Sequence, residues 1–206
     1  MERVKYEEKP TIVVLDRIGT QIYTTINFGT QEVENGFEAF STTMTGEKTV
    51  EEVISWLNDC GMSIEMSIED MNGLFEKLKF QDRLSALKTF VGQQIESYDQ
   101  SDNVNSFMLG DKRIWLDKAT RVGLSNSVAI EKNSGKTKTN LWFGGVKYTI
   151  PIDIAKQMLS ALELYALQCY NVTAEHKSFA DNAATEEELM SFDYRRGYPE
   201  KLVFNI

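Results

Sequence analysis

Histidine, cysteine and proline are scarce: one, two and three residues respectively in 206. A zinc site built on two histidines therefore cannot form within one chain, and any Ser–His or Cys–His triad would have to use His176. That residue stands between Glu175 and Lys177 in a helical segment, a setting that suits a surface or partly buried side chain better than a catalytic one. Cys60 and Cys169 are too sparse for the disulfide framework of a secreted domain, and neither belongs to a paired metal or redox motif. A reducing compartment is expected. Positive charge is also short, with 22 Lys and Arg against 31 Asp and Glu for a formal net charge of -9. No run of cations offsets that balance, which argues against nucleic acid as a partner, because phosphate binding depends on clustered cations. The densest basic stretch, Lys132 to Lys138, contains Gly135 among polar residues and has the composition of a solvated turn. No stretch approaches the roughly 18 apolar residues of a membrane span, and Met1 to Glu8 lacks the apolar core of a signal peptide. A soluble protein without a cleaved export signal is expected.

Catalytic motifs are missing as well. Ser134-Gly135-Lys136-Thr137 resembles the end of a phosphate-binding loop, but the glycine required five positions before Gly135 is Ile130. That loop should also follow a strand and open a helix, and here a helical pattern precedes it and a strand-like one follows. There is no Gly-x-Ser-x-Gly elbow and no dinucleotide fingerprint. Paired carboxylates are assembled by folds rather than by spacing, and 31 acids offer no pair to single out. The expectation is a non-enzymatic protein with no catalytic, cofactor or metal residues. Asn171-Val172-Thr173 matches a glycosylation acceptor but lies in a helical segment, where the match reads as chance.

What the chain has is an ordinary globular balance, 42% hydrophobic and 26% charged, enough to build a sizeable core. From Thr11 to Thr43 the residues favour a small antiparallel meander: Thr11 to Leu15, Gln21 to Phe28 and Gly36 to Thr43, with Asn35-Gly36 as a hairpin turn. Thr49-Val50-Glu51-Glu52 is a capping box, and Gly61 marks the far end of its helix. Ser67 opens a second helix and Leu84 to Ile95 carry a third, with apolar residues three and four apart. Beyond Tyr98 come the turn Asp99 to Asn103, strand-like Val104 to Leu109 and Arg113 to Leu116, and a helix capped by Asp117. A hairpin turns at Gly144-Gly145, and a final strand is expected after Pro199.

Pro151 stands where proline favours a helix start, and the helix it introduces should run to about Ser178 as the longest element. Between Met158 and Tyr170 only Ser160, Glu163 and Gln168 interrupt an apolar run. A helix apolar all round must be covered, either as the central helix of its domain or by another subunit. Met158, Leu162, Tyr165 and Cys169 are the candidate interface residues, and a homo-oligomer is expected. Thr185-Glu186-Glu187-Glu188 forms a further capping box, so its glutamates read as helix chemistry rather than as a metal site. The fold class is α+β. It divides into an N-terminal β-rich attachment region (1–68), a helical connection (69–97) and a C-terminal α+β domain organised by the long helix (98–206).

Several segments carry a family resemblance. They are Tyr98 to Phe107, Trp115 to Arg121, Leu141-Trp142-Phe143, Ala161 to Ala166, Tyr170 to His176 and Phe192 to Leu202. From about Lys88 onward the chain resembles an uncharacterised domain found near the C-terminus of proteins from the tail-gene region of bacterial phages and prophages. The order of a long helix, a short acidic helix and an aromatic-proline ending is also similar to phage tail-fibre assembly proteins. Neither family brings a catalytic residue. The resemblance implies a virion structural or tail-assembly protein, made in the host cytoplasm, whose partners are other tail or virion proteins. The alternative is a receptor- or carbohydrate-binding module of the tail, for which Trp56, Trp115 and Trp142 would supply stacking faces.

Overall fold

The computed structural model describes residues 1–205. Contacts divide the chain into two units: Met1–Ser97 with Ser178–Asp193, and Tyr98–Lys177 with the segment from Tyr194 onward. The division near residue 97 lies where the sequence places a boundary. The segments 1–68 and 69–97 share one unit, however, and a later piece of chain returns to it.

The first unit is a four-stranded antiparallel sheet with helices. Its strands are β1 (Arg3–Tyr6), β2 (Val13–Ile18), β3 (Gln21–Val33) and β4 (Gly36–Thr45), in the order β1-β4-β3-β2. Phe28 and Phe40 pair across β3 and β4, and Arg3 lies over the Phe40 ring at 4.2 Å. The strand β1 has no sequence-level forecast. Its alternating Arg3, Val4, Lys5 and Tyr6 are masked by flanking acids, a composition that suits an edge strand. The β3–β4 loop is Glu34-Asn35, and Gly36 already belongs to β4, paired with Val33. Gly36 has φ +128°, and a Cβ there would collide with the Tyr6 carbonyl of β1. Glycine is required by sheet packing as much as by the turn.

Helix α1 (Val50–Asp59) starts at the Thr49 capping box and buries Val50, Val53, Ile54 and Leu57. Helix α2 (Ile68–Lys77) is capped by Ser67 and Asp70. Asp70 is buried, and its Oδ2 accepts from Ser67 N (2.9 Å), Ser67 Oγ (2.9 Å) and the Gly29 amide at the β3 bulge (3.1 Å), which ties helix start to strand. Helix α3 (Arg83–Gln100) places Gln94 so that its Nε2 donates to the Ser63 and Met66 carbonyls, at 3.1 and 2.7 Å. The segment Ser178–Asp193 adds α6 (Glu186–Ser191), where Thr185 and Glu188 form the expected box. Glu186 also lies 2.8 Å from Arg83 Nε, an ion pair that lacks hydrogen-bond alignment.

The second unit contains β5 (Phe107–Leu109), β6 (Lys112–Ile114), α4 (Lys118–Asn133), the hairpin β7 (Lys138–Phe143) and β8 (Val146–Pro151), α5 (Ile152–Asn182, whose last residues belong to the first unit) and β9 (Val203–Phe204). The final strand pairs in parallel with β5, so the three-stranded sheet β6-β5-β9 is mixed. Val104 lies in the turn before β5 rather than in a strand. Pro151 ends β8, opposite Lys138, and α5 begins one residue later. At 31 residues, α5 is the longest element.

Candidate functional site

Helix α5 buries one side against its own unit. Ala155, Met158, Leu159 and Leu162 join Phe107, Phe143 and Ile150 in the main core cluster, while Tyr165 and Cys169 pack with Val104 in a second. The Tyr165 hydroxyl donates to the Val104 carbonyl at 2.8 Å, and burial pushes both the Tyr165 phenol and the Cys169 thiol up from their ordinary values. Further along the helix, Thr173 Oγ1 donates to Asp99 Oδ1 (2.7 Å) and lies 2.9 Å from the Tyr198 hydroxyl. Arg121 is buried beside this core, where its Nη1 donates to the Leu116 carbonyl (2.6 Å) and its Nε to Glu163 (2.8 Å).

The four candidate interface residues therefore need correction. Met158, Leu162, Tyr165 and Cys169 are only 0–3% exposed, and their own unit covers them. Apolar periodicity marked these four positions, and they form the covered side of the helix. On the opposite side Leu164, Leu167 and Tyr170 are 63, 55 and 69% exposed. Leu162 and Leu164 are two residues apart, about 200° around the helix, so one enters the core as the other leaves it.

This outer face has a distinct composition. Every exposed residue from Gln157 to Ala174 is uncharged: Gln157, Ser160, Leu164, Leu167, Gln168, Tyr170, Asn171 and Ala174. The one acid in that stretch, Glu163, is held by Arg121. The strip is about 27 Å long at 1.5 Å per residue. Ser160, Leu164, Leu167, Asn171 and Ala174 follow one another at intervals of four and three, the seam spacing by which one helix packs along another. On a chain of net charge -9, a neighbour approaching this strip meets no exposed charged side chain within it.

Ser134 ends α4, Gly135 has φ +86°, and Lys136 Nζ lies 2.7 Å from Glu131, so Ser134 to Thr137 is a helix-to-strand turn. The His176 ring packs against Tyr198 with centroids 5.6 Å apart. Trp115 packs edge-on against Tyr165 and lies beneath the Arg121 guanidinium, 5.0 Å away. Trp142 is mostly exposed on the outer side of the β7–β8 hairpin, and no second aromatic residue shares that side with it. Trp56 lines an open cleft beside α1. Among the described residues no three His, Cys, Asp or Glu side chains are grouped so that they could hold a metal ion, and no helix is long and apolar enough to cross a membrane.

No family model, curated protein or solved structure matches the chain.

Proposed function

We propose that the chain is a structural or assembly component from the tail region of a bacteriophage, and that it acts by covering the outer face of α5 with another protein. The observation that supports a contact role is the uncharged strip from Gln157 to Ala174, with Leu164, Leu167 and Tyr170 open to solvent in a unit that already has a filled core. Neighbouring exposed apolar side chains rimmed by polar residues are the kind of surface that another protein covers. The phage assignment rests on the sequence resemblance from about Lys88 onward, and the virion, with synthesis in the host cytoplasm, is its expected location. The partner is a second copy of the chain or a neighbouring tail protein. No catalytic step is assigned.

Light scattering at micromolar concentration tests the contact role. A mass above 23.5 kDa that falls to the monomer value in Leu164→Glu/Leu167→Glu supports self-association through this face. A monomer that also fails to co-purify with neighbouring tail proteins refutes the contact role. Mass spectrometry of purified particles separates a structural protein, which is present in them, from an assembly factor, which is not.

A further inference from the structure

Two clefts flank α1 in the first unit, and both are lined by Ser55. The larger, about 460 Å³, lies between the end of β4 and α1 and has the Trp56 indole in its wall. Around that indole stand Glu52 and Asp59, which can only accept hydrogen bonds when ionised, and Lys48, which can only donate and pairs with Glu52 at 3.6 Å. The smaller, about 260 Å³, lies between α1 and α3 over an apolar floor of Ile54 and Ala86. Its rim carries the hydroxyls of Ser85 and Thr89 and the amide of Gln93. Gln93 Oε1 is shielded from solvent and has no hydrogen-bond partner, so its side chain has to turn before it can take a donor from the cleft.

The ligand class follows from these groups. The smaller cleft has no cation and is bordered by Glu51 and Asp82, which turns anions away. Glu51 stays ionised near neutral pH: partial burial opposes its charge, but the amides of Gln81 and Asp82 and the Thr49 hydroxyl outweigh that and hold its carboxyl below the ordinary value. What fits is a molecule with a C–H face to lay on Trp56 or on the Ile54–Ala86 floor, and a rim of groups that both donate and accept. A pyranose has this form. Because Ser55 lines both clefts, the occupant would be a short chain of sugars with one ring against Trp56 and another over the Ile54–Ala86 floor. We infer that the paired clefts on either side of Ser55 bind a neutral oligosaccharide. The inference does not depend on the α5 contact face, which lies in the other unit.

The test uses the full chain and three neutral probes: maltotriose, cellotriose and triacetylchitotriose. Saturation-transfer NMR detects contact, and calorimetry gives affinity. At least one probe should bind with Kd under about 10 mM. Trp56→Ala and Gln93→Leu should each weaken it by about tenfold, whereas Trp142→Ala should leave it unchanged. If Trp56→Ala does not fold, the exposed Ser55→Arg, which fills the junction without touching the core, should still abolish binding. The inference is overturned if none of the probes binds, or if binding survives Ser55→Arg, or if Trp142→Ala removes it. Leu164→Glu/Leu167→Glu should bind sugar like the parent chain, so a failed contact face and a failed sugar site give separate results.

Discussion

Replacing Leu162 by alanine and, separately, Leu164 by alanine probes the sidedness of α5 directly. Leu162 has no exposed surface and lies in the cluster that includes Phe107, Phe143 and Ile150. Truncation removes three carbon atoms, which at about 0.8 kcal/mol per buried methylene is about 2.4 kcal/mol. The cavity left behind adds about 24 cal/mol per Å³ that the surroundings do not refill, so the total comes to about 3–4 kcal/mol. With a urea m value of about 2 kcal/mol/M, the midpoint should fall by about 1.5–2 M. Leu164→Ala removes the same atoms from a side chain that is 63% exposed. At dilute protein it should change stability by less than about 0.5 kcal/mol. Urea melts of the three proteins, followed by far-UV circular dichroism, decide the matter. Equal losses in the two variants, or a loss under about 0.5 kcal/mol for Leu162→Ala, would refute the assignment of inner and outer faces.

Three further outcomes follow from the same geometry. Gly29 has φ +60°, and a Cβ there would lie 2.7 Å from the Glu65 carbonyl oxygen, whereas Gly19 has φ +64° with open space around it. Gly29→Ala should therefore cost more than the about 1–2 kcal/mol of left-handed strain expected for Gly19→Ala, read as the difference between their thermal midpoints. Thiol titration should find one reactive group in the native protein, exposed Cys60, and a second only after denaturation, because Cys169 is buried with its thiol pushed up. The Asp117 carboxyl is held below its ordinary value by the Thr120 amide and then by the Thr120 hydroxyl. Its contribution is present above the unfolded value of about 4 and is lost as pH falls through the lower folded value. The gap in melting temperature between the parent chain and Asp117→Ala should accordingly shrink in acid, and a gap that grows there would contradict the capping role.

Local features were legible because their causes are local. The boxes at Thr49 and Thr185 and the cap at Asp117 each need only a hydroxyl or carboxyl three residues before an amide, and all three form where the spacing puts them. The meander, the Gly144-Gly145 hairpin and the long helix were likewise readable from strand and helix periods. Illegible were the features whose partners lie far along the chain. The pairing of β1 with β4 and of β9 with β5, and the return of Ser178–Asp193 to the first unit, depend on contacts that no local pattern encodes. The α5 strip shows the limit most clearly. Between Met158 and Tyr170 apolar residues surround the helix, so periodicity identified an element that must be covered but could not say whether its own unit or another subunit covers the marked side. That was decided by Val104, Phe107, Phe143 and Ile150, which arrive from elsewhere in the unit and fill the space around Leu162 and Tyr165, leaving Leu164, Leu167 and Tyr170 in water.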